Sequence, residues 1–203
     1  MSESITRRTF TAAAAGLTVT TVAASEDLPK AVPAKAAGPV EEAFERDYAV
    51  PGFKPSWKKP QINRVLVQDF VTFAHSDLAM TKKLVEKAPL LVNAMIDWGG
   101  GDWESGLGGA AHMGRRDIVE YLLAAGARVD LFCAAMMGQL EAVKALLTLE
   151  PKLIDARGPH GFTLHFHAQV GGKDAEKVLE YLQSVKKLDL KPLPFKPMIP
   201  AKP

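Results

Sequence analysis

One cysteine in 203 residues leaves no partner for an intramolecular disulfide, so packing must hold this chain together. Cys133 sits in an apolar run, Leu131-Phe132-Cys133-Ala134-Ala135, with no base beside it, and reads as a buried, inert thiol. An excess of charge of one sign is missing too: 25 Lys and Arg face 23 Asp and Glu, a formal net charge of +2 with histidine neutral. Such a balance, without basic runs interleaved with aromatics, gives no electrostatic footprint for nucleic acid or an anionic membrane. Catalytic signatures are absent as well: there is no Gly-x-Ser-x-Gly, no His-Glu-x-x-His and no carboxylate pair distinct from surface charge. Gly99-Gly100-Gly101 is not a phosphate loop, because no Gly-Lys-Ser/Thr follows it. What the chain does have is apolar content, 47%, enough for a sizeable core.

At the N-terminus, Thr6-Arg7-Arg8-Thr9-Phe10 precedes a mildly apolar stretch, Thr11 to Ala24, that ends in small residues before Ser25. A charged pair, an apolar segment and small residues form the three-part layout of an export signal. The apolar part has 14 residues, against the ~20 that a membrane-crossing helix needs. Arg7, Arg8 and Phe10 resemble the bacterial twin-arginine (Tat) signal, Ser/Thr-Arg-Arg-x-Phe-Leu-Lys, with departures at Thr11 and Ala12. That resemblance implies recognition by the Tat translocase and export of the folded chain to the periplasm or beyond. Cleavage is expected after Ala24, with no stable membrane anchor.

Residues 25–63 form a Pro-rich linker, extended apart from a turn or two of helix at Glu41 to Asp47. Its aromatics Tyr48, Phe53 and Trp57 are expected to lie partly against the folded domain. Residues 188–203 form a second Pro-rich, extended tail.

Between linker and tail, residues 64–187 repeat. Asp117-Ile118-Val119-Glu120-Tyr121-Leu122-Leu123 puts Ile118, Tyr121 and Leu122 on one helical face, and Glu141 to Leu147 does the same with Ala142, Ala145 and Leu146. Each run follows a short helix of small residues, Gly109 to Gly114 and Cys133 to Gly138, where paired alanines let two helices approach closely and a glycine ends the first. This pattern resembles the ankyrin repeat, most closely over Gly109 to Ala127. The resemblance implies an all-α solenoid of about four helix-turn-helix units with degenerate end units.

The equivalent positions Ser76, Gly114, Gly138 and Gly171 are 38, 24 and 33 residues apart, against about 33 for such a repeat. The first connection is therefore enlarged, and the second is too short for a projecting finger. Asp130 is positioned there to cap the next helix.

Ankyrin-type proteins bind through fingers and the inner helix face, which makes the enlarged connection the candidate partner site: Asp97, Trp98, Asp102, Trp103 and Glu104 around the triple glycine. Tryptophan offers large apolar area with one donor, the profile of an interface anchor. Trp103, nearer the next helix, is expected to be the more buried of the two rings. His160, His165 and His167 are close in sequence, but histidines two apart on a helix point to nearly opposite sides. A structural role is the reading taken, so no metal ligand, catalytic residue or cofactor is assigned. The expectation is a non-catalytic module for an unidentified protein partner. The alternative is a small metal-dependent or hydrolytic enzyme, with its site at the Trp/Asp finger and the His-rich last unit.

Overall fold

Side-chain caps start the first helix of each of four helix pairs. In the computed structural model, which describes residues 41–195, α1 (Arg64–Ala74), α3 (Gly106–His112), α5 (Leu131–Met136) and α7 (Leu164–Val170) begin after Asn63, Ser105, Asp130 and Thr163. Each capping oxygen accepts a hydrogen bond from a backbone N–H of the first turn, as in Asp130 Oδ1 with Cys133 N at 2.7 Å. The cap satisfies one of the donors that a helix start leaves unpaired. Asp130 thus does what its position in the short second connection foretells.

Each inner helix packs on the helix that follows it: α2 (Leu78–Lys87), α4 (Arg116–Ala124), α6 (Leu140–Leu149) and α8 (Glu176–Val185). Inner helices also stack on one another in sequence order, α1 on α3, α3 on α5 and α5 on α7. Their small residues permit this: all of α3 is buried, and so are Cys133, Ala134 and Ala135 of α5. The protein is mostly helical, and the only sheet among the described residues is a two-stranded hairpin, β1 (Met95–Asp97) with β2 (Trp103–Ser105).

Several expectations shift. On α4 the buried face is Ile118, Val119 and Leu122, with Tyr121 half-buried at its edge. On α6 it is Val143 and Leu147, one residue on from the expected Ala142, Ala145 and Leu146. The two adjacent stripes of α6 are almost equally apolar, and the packed neighbouring helices decide which one turns inward. In the last unit Gly172, at φ +60, takes the place of Gly114 and Gly138 at φ +70 and +77, so the register moves on by one from Gly171.

The linker departs furthest. Residues 41–50 form no helix, and Tyr48, Phe53 and Trp57 are exposed, Phe53 at 81% and Trp57 at 74%. Among its described residues only Ile62, next to the cap of α1, packs against the core. The tail does the opposite: Leu193 and Phe195 pack on the core, and Gln169 Nε2 donates to Lys191 O at 2.9 Å. Residues of the export signal lie outside those described.

Candidate functional site

The hairpin organises the site. Ile96 pairs with Glu104, Asp97 with Trp103 and Met95 with Ser105. Side chains alternate across a strand, so Ile96 and Glu104 face one way and Met95, Asp97, Trp103 and Ser105 the other. The triple glycine closes the turn between them, with φ of +123, +65 and +85, which side-chain-bearing residues rarely adopt. Asp97 Oδ1 fixes that turn by accepting from Gly99 N (2.9 Å) and Gly101 N (3.1 Å).

This alternation corrects two of the residue assignments. Glu104 is fully buried, 0% exposed, and cannot touch a partner. Trp103 is the more exposed indole, 56% against 38% for Trp98. Trp98 is drawn inward because its Nε1–H donates to Glu104 Oε2 at 2.6 Å. Asp102 turns to the loop before α7, where its Oδ1 accepts from His160 N (2.8 Å) and its Oδ2 lies 2.7 Å from His160 Nδ1.

Around the buried carboxylate three imidazoles converge. His75 Nε2 is 3.4 Å from Glu104 Oε2, His160 Nε2 is 3.6 Å from the same oxygen, and His112 Nδ1 is 3.1 Å from Oε1. One donor atom from each of the four residues lies within 4.8 Å of all the others, a spacing compatible with ligands of a single metal ion. His75 follows α1, Glu104 lies on β2, His112 ends α3 and His160 belongs to the 3-10 turn Pro159–Gly161. Gly109 makes room for the first of them, since a Cβ there would come within 2.8 Å of His75 Nδ1.

Burial works against the Glu104 charge, yet His112, His75 and the Trp98 N–H beside it hold its carboxyl well below the usual carboxylate range. Burial likewise opposes a charge on His75, but Glu104 and the Val71 carbonyl outweigh it and raise its pKa.

His165 and His167 stay out of this cluster. Both lie on α7, where His165 Nε2 bonds the Lys186 carbonyl and His167 Nδ1 the Thr163 carbonyl, each at 2.8 Å. His160, grouped with them by sequence, instead belongs to the cluster. Burial lowers the His167 pKa to about 4, from 6.5. An unfolded chain therefore binds a proton here that the folded one refuses, and stability falls as pH drops from 6.5 towards 4. By this shift the loss should reach about 3 kcal/mol. The His167 Cε1–H resonance should titrate near pH 4 in a pH series of NMR spectra. A midpoint near 6.5 would mean that the ring is solvated.

Cys133 is buried, and burial first, then Asp130, pushes its thiol up to about 12, so it offers no nucleophile. Behind the hairpin, on the Trp103 face, lies a cleft of about 330 Å³ lined by Met95, Trp103, Phe132, Arg157 and Pro159 among others.

Sequence spacing missed His75 and His112, which lie 29 residues before and 8 after Glu104. The usable signal was the hairpin: two three-residue strands around a glycine turn place Glu104 opposite in face to Trp103. No protein-family model matches the chain, and no curated protein is similar to it.

Proposed function

We propose that this chain is a non-catalytic binding module, an ankyrin-type solenoid of four helix pairs with degenerate ends. In this reading it is exported folded to the periplasm or beyond, and it takes a protein partner on the hairpin. One observation carries the proposal: a short hairpin, tied down on its Glu104 face, presents Trp103 and Met95 exposed on the other, beside the cleft with Phe132 and Arg157. Large exposed side chains on a fixed element lose little freedom on binding, which favours them as anchors. The inner helix face has less to offer around α3, which is wholly buried.

Trp103→Ala should reduce recovery of the partner from a periplasmic extract at least about tenfold, as loss of an anchor residue does. Leu149→Ala, at an exposed outer-helix position, should leave recovery unchanged. Equal recovery of the same protein by all three chains would remove the hairpin from consideration.

Export rests on Arg7, Arg8 and Phe10. Replacing both arginines by lysine should leave the uncleaved chain in the cytoplasm, read by fractionation and mass. Normal export of that variant would exclude the Tat route.

A metal-dependent activity is the second reading, favoured by the convergence of His75, His112 and His160 on Glu104.

A further inference from the structure

We infer that His75, Glu104, His112 and His160 bind one divalent first-row transition-metal ion, which ties the hairpin to the repeats on either side of it and to the last one. The inference goes beyond the binding role proposed above and can fail independently of it.

The tautomers point to it first. His75 Nδ1 lies 2.7 Å from the Val71 carbonyl, which can only accept, so Nδ1 carries the proton and a neutral ring leaves Nε2 bare. His160 Nδ1 lies 2.7 Å from the Asp102 carboxylate, which likewise accepts from a protonated Nδ1 and turns a bare Nε2 towards Glu104. A carboxylate or carbonyl on the far nitrogen is the usual outer partner of a metal-bound histidine. With both rings neutral, lone pairs of two imidazoles and a carboxylate thus face one another, an arrangement that a shared metal cation resolves as directly as protonation of the rings would.

Distances and unmet bonding capacity agree. Charge-assisted N–H···O bonds close to about 2.7–2.9 Å, whereas the three imidazole-to-Glu104 separations here are 3.1, 3.4 and 3.6 Å. Two ligand atoms each about 2.1 Å from one ion at tetrahedral angles lie about 3.4 Å apart. Glu104 Oε1 and His112 Nδ1, both buried, lie 3.1 Å apart without good hydrogen-bond geometry and have no other partner. Unpaired buried polar atoms are costly, and these two face each other in the middle of the cluster. Trp98 occupies the second carboxylate oxygen and fixes its orientation.

The donor set selects the class of ion. Three imidazole nitrogens and one carboxylate, with no sulfur, suit Zn²⁺, Fe²⁺, Co²⁺, Ni²⁺ or Cu²⁺. Copper(I) and iron–sulfur clusters need thiolates, and Mg²⁺ or Ca²⁺ would call for oxygens. Four protein ligands fill a tetrahedral shell, as in structural sites.

The experiment titrates the full-length chain, stripped of metal by a chelator, with Zn²⁺ by calorimetry and with Co²⁺ by visible absorption. One ion per chain and the visible bands of tetrahedral Co²⁺ are expected. His160→Ala, at an exposed position and with its fold checked by circular dichroism, should abolish one-to-one binding, as should Glu104→Gln. Asp102→Asn should weaken it about 10- to 100-fold, because it removes only the outer partner of His160. His165→Gln should bind as the parent does. The inference is overturned if the folded, metal-free chain takes up neither ion stoichiometrically, or if His160→Ala binds as tightly as the parent. In either case the cluster is held by protons, and capture through Trp103 stands or falls on its own experiment.

Discussion

Gly138→Ala should lower the free energy of unfolding by about 2–4 kcal/mol, from overpacking together with left-handed strain. Gly138 ends the first half of the third repeat at φ +77, and a methyl group there would overlap the Asp174 carbonyl oxygen. That oxygen is backbone, in the 3-10 turn Gly172–Ala175 ahead of α8, so it cannot swing aside as a flexible side chain would. Gly126 separates the two causes. Its φ is +95 and nothing lies within 4 Å of a Cβ built on it. Gly126→Ala therefore carries the backbone strain without the clash and should cost about 1–2 kcal/mol. Urea unfolding followed by circular dichroism measures both. Equal losses would show that the third and fourth repeats can slide apart without penalty.

Glu104→Ala is expected to cost about 3–5 kcal/mol, the range for breaking a buried ion pair from one side. The variant leaves the Trp98 N–H without its acceptor and three imidazoles around a cavity. Unfolding should be measured in a chelator, so that loss of an ion does not add to loss of the carboxylate. Glu104→Gln keeps an oxygen for Trp98 and should recover part of the difference. A change under about 1 kcal/mol for the alanine variant would mean that water replaces the carboxylate, contrary to its complete burial.

The helical core was legible because its signals are local. Asp130 three residues ahead of Cys133 reads as a cap whatever surrounds it, and the Ala110-Ala111 and Ala134-Ala135 pairs reveal close helix contacts from size alone. The α6 face was misplaced because a run of Ala, Val, Lys, Ala and Leu fits two adjacent stripes almost equally. Only the neighbouring helix decides between them. The site was less legible still. Its residues are partly in view, since Trp98, Asp102 and Glu104 stand out in the sequence, but nothing there marks Glu104 as buried. Their directions depend on strand pairing between Ile96 and Glu104, a contact that no repeat pattern encodes. His160 was grouped with His165 and His167 because they are neighbours in sequence, whereas its working partners are 58 and 56 residues away.

A stack of repeats ordinarily gains its stability from adjacent units, so its ends fray first and unfolding can proceed one unit at a time. The bond from Asp102 to His160 breaks that rule. It joins the loop ahead of the second helix pair to the loop ahead of the fourth, passing over the second connection, which is too short to project between them. Opening the last repeat alone then means releasing the hairpin as well, and the terminal unit inherits the protection of the centre. Amide hydrogens of α7 should accordingly exchange with solvent at rates close to those of α3, and the chain should unfold as one cooperative block.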